Sequence, residues 1–412
     1  MLIHIAIKSL LYRKSSILLT IATISLSLFV MLGVDHVRQQ AKSSFTSTVS
    51  GVDLIVGTRT GSLNLLLYSV FRLGTPTANI DWQSYKNLSE NDLVSWAVPI
   101  SLGDSHKGYR VLGTTPGYFK FLSYANKNPL RFKKGREFED IFGLVLGASV
   151  ANKLGYDIGD KITLSHGIGR TSFKTHDNLP FKVVGILEAT GTPIDQTLHI
   201  SLQGLEALHV SQPFSHNDTY TTSLKLADSL HLTPNSVTAV FVGLKSKISV
   251  FNFQRQINSN KNEPLSAILP GLALSQFWQS VSVFDNTLSV ITYLVLGCSL
   301  IGLTATMLSS IRERTHELRL IKVIGATSWF VFLLIEFEAL LITFVSTLVT
   351  LTCLSITLLL SREFVLVNYG ITLDPKVLTQ SGAQLLIGVF ICTVIAAIPP
   401  AIKANRKATI DT

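Results

Sequence analysis

The sequence predicts an α-helical membrane protein with four transmembrane helices and a large α+β extracytoplasmic domain inserted between helices 1 and 2. Three observations predict it. Only 15% of the 412 residues are charged and 47% are hydrophobic, whereas an ordinary soluble domain is about a quarter charged. Lysine and arginine are absent from four long apolar stretches, Ser15 to Val34, Thr287 to Ile311, Trp329 to Leu360 and Leu385 to Ile402. A hydrocarbon core about 30 Å thick takes roughly 20 apolar residues as helix, so each stretch can cross. Residues 35–283 hold no comparable run and are long enough for two subdomains. This layout excludes a compact channel and a many-helix carrier.

Taken in order, the sequence predicts a cytoplasmic N-terminal segment over 1–16, a first span over 17–34 and an external domain over 35–283. A second span over 287–311, a segment over 312–328, a third span over 329–360, a short external loop over 361–384, a fourth span over 385–402 and a tail over 403–412 follow. Cations set the orientation, because short cytoplasmic segments are enriched in them. Lys8, Arg13 and Lys14 precede the first span; Arg312, Arg314, Arg319 and Lys322 lie between the second and third; Lys403, Arg406 and Lys407 follow the fourth. The loop from Ser361 to Gly382 holds only Arg362 and Lys376. Both termini and the 312–328 segment are therefore expected in the cytoplasm, with the large domain outside. The first span is expected to be retained, because its apolar run exceeds a signal peptide's 7 to 15 residues and no small-x-small site follows that run before Asp35. Cys298, Cys353 and Cys392 all fall within spans, so the external domain has no disulfide framework available.

In the external domain the patterning predicts strands at Asp53 to Gly57, Leu93 to Leu102, Tyr109 to Gly113, Phe181 to Leu187 and Val237 to Leu244. It predicts helix at Trp82 to Leu88, capped by Asp81, and at Val250 to Asn258, with a further short strand at Ala267 to Leu269. The two ends of the insert carry similar units and are expected to pair into a membrane-proximal subdomain, about 45–115 with 231–283, into which about 116–230 is inserted. The stretch Leu63 to Leu73 (LNLLLYSVFRL) is apolar but too short to span. It reads either as a core helix or as an exposed one, in which case Leu65, Leu66, Leu67 and Phe71 would contact hydrophobic cargo or a partner.

Motifs of catalysis are missing. The sequence has no GxxxxGK[ST], HExxH, GxSxG or CxxC, so no phosphate cradle or zinc-protease site is expected in this chain. His166, His176, His209, His216 and His231 match no compact metal spacing, and Asp157 with Asp160 in GYDIGD reads as a turn. No metal, no catalytic residue and no nucleic-acid partner is predicted. Within the spans only Glu336 and Glu338 are acidic and no Lys, Arg or Asp intrudes, so no polar route across the bilayer is expected.

The segment from Arg312 to Phe330 (RERTHELRLIKVIGATSWF) carries the most information. Helix formers run to Ile324, Gly325 is a stop, and Thr327 or Ser328 can cap the next helix. At 100° per residue Arg312, Arg319 and Lys322 fall within about 80° of one another, with Glu313 and Glu317 roughly opposite beside Arg314. The basic side suits anionic lipid headgroups, which leaves the acidic side for a soluble protein.

Glu313 to Ala326 (ERTHELRLIKVIGA) resembles the ERTREIGI…GA signature of FtsX/MacB-type permeases, the membrane subunits of mechanotransmitting ABC transporters. Glu338 in IEFEALL stands where that family often carries a glutamate. AIKSLLYRKSSILLTI is similar to its opening helix, and LVLGASVANKLGYDIGDKI and FKVVGILEATGTPID are similar to segments of its extracytoplasmic domain. Thr343, Ser346, Thr347, Thr350 and Thr352 stand where the family's third span is often glycine-rich, and small polar residues can also pack helices closely.

The resemblance implies a non-catalytic permease subunit in the bacterial inner membrane, paired with a second permease chain. It implies a separate ABC ATPase that binds ATP and Mg and grips the segment between the second and third spans. Closure of the ATPase pair would move the external domains, for export or extraction of a hydrophobic substrate, peptide or lipoprotein, with membrane lipids and a periplasmic substrate-binding protein or lipoprotein as further partners. On that reading Glu313, Arg314, Glu317 and Leu318 contact the ATPase, Gly325 permits the turn and Glu338 anchors the base of the third span. The alternative is a membrane-anchored sensor or scaffold that binds a periplasmic ligand without ATP-driven transport.

Overall fold

The structure is a computed structural model that describes residues 6, 8–10, 12–48, 50–125, 127–166, 179–209, 232–369, 374 and 376–407. It divides into two compact units, residues 1–40 with 282–362 and 373–412, and residues 41–281 with 363–372. His176, His216 and His231 of the sequence reading lie outside the described residues.

Four helices are long and apolar enough to cross a membrane, and they run over Lys14–Ser47, Pro270–Glu313, Ser328–Tyr369 and Gln380–Lys407. Each overruns the apolar stretch that predicts it. Polar residues with adequate helix propensity, such as those of VRQQAKSS after Gly33, extend the backbone ladder where hydropathy ends. Hydroxyls tie the helices together. The Ser25 hydroxyl donates to the Ser346 carbonyl at 3.2 Å, and the Thr350 hydroxyl donates to the Ser25 carbonyl at 3.0 Å. Thr304 reaches the Ala396 carbonyl at 3.0 Å, and the Thr343 and Thr393 hydroxyls meet at 3.2 Å. Each such bond contributes about 0.6 kcal/mol within a bilayer. Thr343, Ser346 and Thr350 thus join helices within this chain, whereas the Thr347 and Thr352 hydroxyls bond carbonyls of their own helix. Cys298, Cys353 and Cys392 are free and exposed on these helices.

The second unit is built on one mixed sheet. Its longer strands are β1 (Leu54–Thr58), β2 (Val94–His106), β3 (Tyr109–Thr114), β4 (Phe132–Gly135), β5 (Gly143–Leu146), β6 (Phe181–Leu187), β7 (Thr197–Ser201), β8 (Ala239–Leu244) and β9 (Leu265–Ile268). They lie in the order β9-β1-β8-β2-β3-β7-β5-β6-β4, and two short strands at Lys161–Ile162 and Ser165–His166 bring the described sheet to 11. Two pairings are parallel, β7 on β3 and β6 on β5; the rest are antiparallel.

The predicted strand Phe181 to Leu187 and helix Val250 to Asn258 are found at those bounds. Asp81 caps the helix Trp82–Ser89 by accepting from the Gln83 N–H at 3.4 Å. Val237 to Leu244 divides into Ser236–Val237, paired with Ile80–Asp81, and β8. The buried Thr238 between them turns its hydroxyl to the Leu102 N–H at 3.1 Å. Asp157 and Asp160 form a turn: the Asp160 carboxylate accepts the Asp157 N–H and the Asp157 carboxylate accepts the Ile158 N–H, both at 2.8 Å.

The longer strands of residues 45–115 with 231–283 (β9, β1, β8, β2, β3) and those of residues 116–230 (β7, β5, β6, β4) lie as two successive runs of one sheet, joined where β3 pairs with β7 over five positions, Arg110↔Thr197 to Thr114↔Ser201. Alternation along a strand fixes which face is buried and leaves the identity of the neighbouring strand open. One of the two readings of Leu63 to Leu73 is corrected. Helix Ser62–Ser69 lies against the sheet with Leu65 at 0%, Leu66 at 1% and Phe71 at 6% exposure, and Leu67 half-buried. These residues are core rather than a surface for cargo or a partner, since the helix is short enough to bury all but one narrow face between the sheet and the aromatic group of Phe45, Phe277 and Trp278.

One face of the sheet carries a buried imidazole. His199 on β7 is fully buried, its Nδ1 3.4 Å from the Val145 carbonyl, with the rings of Tyr118 and Phe119 at 5.1 and 5.7 Å. Burial first, then nearby Arg72, hold its pKa down from 6.5 to about 3. Between those values the unfolded chain binds a proton that the fold refuses, so stability falls as pH drops from about 6.5 toward 3 and is indifferent to this group above 6.5. His199→Phe is expected to remove that slope, up to about 1.4 kcal/mol per pH unit. Urea unfolding at pH 7 and pH 5 checks it; equal slopes in wild type and variant would show that His199 titrates normally.

Candidate functional site

The second spanning helix ends at Glu313, and a separate helix, Thr315–Val323, follows. The sequence predicted one continuous helix to Ile324. The break falls at Arg314, whose φ and ψ are −101° and 16°. Thr315 is the local cause, because its hydroxyl donates to the Ile311 and Arg312 carbonyls at 3.1 and 3.0 Å and so competes with the backbone N–H groups that would carry the helix onward. Glu317 in the first turn of the new helix complements its dipole.

The far end closes in a Schellman arrangement. The Gly325 N–H bonds the Lys322 carbonyl at 2.9 Å and the Ala326 N–H bonds the Ile321 carbonyl at 3.1 Å. Gly325 has φ +105°, and a Cβ there would meet nothing within 4 Å, so the requirement for glycine is conformational rather than steric. Thr327 caps the third spanning helix, accepting from the Phe330 N–H at 3.3 Å. The short helix is thus set off at both ends by identifiable chemistry.

Its fastening is an ion pair. The Arg314 Nη1 and Nη2 atoms donate to Glu338 Oε1 and Oε2 at 2.8 and 2.6 Å, with Arg314 at 6% and Glu338 at 1% exposure. Nη1 also donates to the Ser9 hydroxyl. Two parallel bonds between planar groups fix orientation as well as distance. Arg13 lies in the same charge group; burial and then Arg314 hold its pKa below the ordinary value, against the pull of Glu338, Glu313 and Glu317. Glu336, on the adjacent turn, is buried with neither carboxylate oxygen hydrogen-bonded among the described residues.

The predicted contact residues therefore part into two groups. Glu313 and Glu317 are exposed as expected, and Gly325 stands exposed at the turn. Arg314 and Leu318 were also predicted to face a soluble partner, and both are instead buried. A run of alternating charge does not reveal which of its three arginines has a carboxylate waiting 24 residues later in sequence. Sequence reasoning missed the apolar half of the exposed face: Leu320, Val323 and Ile324 are 61, 80 and 85% exposed. Their spacing from Glu317 of three, six and seven positions puts them on one helix face, and that spacing was the available signal. The face is acidic at its start and apolar at its end, while Lys322 reaches the Asn405 carbonyl at 3.3 Å.

Four helices long and apolar enough to cross a membrane, with a mixed α/β domain inserted in sequence after the first of them and a short amphipathic helix between the second and third, define a multi-pass membrane protein. The comparisons with known proteins agree. The profile of the MacB-like periplasmic core domain matches residues 17–260 and that of the FtsX-like permease C-terminal domain matches residues 289–409. The chain belongs to the family of permeases with a MacB-like periplasmic core domain and an FtsX-like C-terminal region. Among solved structures it is similar to the periplasmic region of MacB from Actinobacillus actinomycetemcomitans, at 12% identity and a TM-score of 0.34 over 57% of this chain and 94% of that one. A search of curated proteins gives no match.

Proposed function

We propose that this chain is the permease half of a mechanotransmitting ABC transporter, in which a separate ATPase binds ATP and Mg and drives motion of the periplasmic domain through the helix Thr315–Val323. The observation that carries this reading is the bidentate Arg314–Glu338 pair. A helix meant to pass on displacement needs a stiff joint at its base, and a buried, two-bond ion pair supplies one where a single flexible contact would dissipate the movement. Glu313, Glu317, Leu320, Val323 and Ile324 form the docking face, and the sequence-predicted termini and docking helix are cytoplasmic. Two copies of this chain pair around the ATPase dimer. The cargo is the family's range, a hydrophobic substrate, peptide or lipoprotein; the buried Leu63 to Leu73 segment lends no support to any one of them.

The test uses native-membrane purification. Wild-type protein is expected to bring down an ATPase, Glu317→Lys to lose it by about tenfold or more, since a charge reversal at a docking face costs over 1.4 kcal/mol. Gly325→Val, which forces a β-branched residue to φ +105°, is expected to keep the ATPase and lose stimulation by cargo. Wild-type association and stimulation in both variants would refute the assignment.

A further inference from the structure

The periplasmic unit buries a cation that no acid among the described residues neutralises. Arg72 follows the helix Ser62–Ser69 and takes φ +60°, a left-handed conformation unusual outside glycine, which directs its side chain inward. Only 9% of the residue is exposed. Its Nη2 donates to the Tyr118 hydroxyl at 3.3 Å, while Nε and Nη1 are buried without a hydrogen-bond partner among the described residues. No carboxylate forms an ion pair with it among the described residues.

Strand register places two more groups on this side of the sheet. Arg110 pairs with Thr197 and Leu112 with His199, so alternation puts Arg110 and His199 on the face that also carries Leu112, Tyr118 and Val145. Arg110 donates to the Gly74 carbonyl at 2.6 Å, at the rim of the Arg72 loop. The His199 Nε2 is buried and also without a partner among the described residues. Two guanidinium groups thus lie close enough to repel each other, and among the described residues no acid pairs with either.

Arginine cannot shed its proton in a protein, so burial cannot neutralise it as it would a lysine. Tyr118 stays a neutral phenol because burial raises its pKa, and His199 stays a neutral imidazole. Neither supplies negative charge. A water molecule could accept from Nε or Nη1, yet it would leave the charge itself uncompensated, which is the larger cost.

We propose that Arg72, with Tyr118 and His199 around it, binds a small monovalent anion, a halide or a carboxylate-sized oxyanion, in the core of the periplasmic unit. The enclosure selects for size, since a larger anion would have to displace the aromatic rings of Tyr118 and Phe119 that pack on His199.

Thermal unfolding of the full chain in detergent tests this. The starting buffer is sodium gluconate, whose anion is too bulky for the site, replaced stepwise by sodium chloride or sodium formate at constant ionic strength. The wild-type midpoint is expected to rise by roughly 3 °C for each tenfold of anion above its Kd. A response to chloride alone identifies a halide site, and a response to formate alone identifies a carboxylate site. Arg72→Met is expected to be insensitive to both anions and, in gluconate, more stable than wild type, because it removes the uncompensated charge. If Arg72→Met does not fold, Tyr118→Phe, which keeps the charge and deletes one bond, is expected to weaken the response and the retention of radiolabelled chloride or formate. An unresponsive wild type, or a parallel rise in wild type and Arg72→Met, overturns the proposal and leaves Arg72 solvated by water only.

Discussion

Glu338→Gln is expected to uncouple the transporter while leaving it inserted and folded. Glutamine keeps the shape of glutamate and one acceptor oxygen, so the third spanning helix has no steric reason to move. What it removes is the charge opposite Arg314, a residue only 6% exposed. Deleting one member of a buried pair costs about 3–5 kcal/mol, mostly because the other is left unpaired. Arg314 has an escape that a core residue lacks, since it sits at the helix break and can swing toward solvent with a modest change at φ −101°. The expected result is release of the helix Thr315–Val323 from its joint, seen as loss of cargo-stimulated ATPase activity by about tenfold or more with ATPase still bound.

The pair itself can be separated from its geometry. Arg314→Met with Glu338→Leu removes both charges together, and replacement of a buried pair by apolar side chains is often neutral or stabilising. Stability should therefore return in the double variant, and a double-mutant cycle gives the interaction directly. Coupling should not return, because two flexible apolar chains cannot hold the orientation that two parallel N–H···O bonds hold. Arg314→Lys is expected to behave like the single deletions in coupling, as an ammonium cannot make the fork. Wild-type stimulation in Glu338→Gln would remove the ion pair from the mechanism.

Particular residues show how far the sequence could be read. The four spans were legible because a bilayer imposes length and excludes charge, and both are visible without knowing any contact. Strand Phe181–Leu187 and helix Val250–Asn258 were legible because each has a clear period. The single sheet was not, since nothing in Tyr109–Thr114 states that its parallel neighbour is Thr197–Ser201, some 80 residues on. At the helix Thr315–Val323 the acids and the Gly325 stop were readable from local chemistry. The burial of Arg314 was not, because it depends on Glu338 in another helix. Arg72 is a single charge near the end of the apolar run Leu63 to Leu73, and its burial follows from a backbone conformation that hydropathy does not encode.

Leu65→Ala is expected to destabilise the periplasmic unit by about 3 kcal/mol, within the 2–5 kcal/mol usual for such truncations. The position within that range follows from how little the site can relax. Leu65 is fully buried and closes on β1 so tightly that a Cβ on Gly57 would lie 2.4 Å from its Cδ1 and 2.9 Å from the Tyr68 hydroxyl. A sheet strand on one side and the rings of Phe45, Phe71 and Phe277 beyond the helix leave little that could collapse into the space. Leu67, half-buried on the same helix, should cost about 1 kcal/mol as alanine, since water already reaches part of it. A surface that takes hydrophobic cargo makes the opposite forecast: both substitutions would leave the unfolding midpoint in place and lower cargo binding together. Urea unfolding of the full chain in detergent, followed for the two variants side by side, decides between them, and equal midpoints for Leu65→Ala and wild type would put this helix back on the surface.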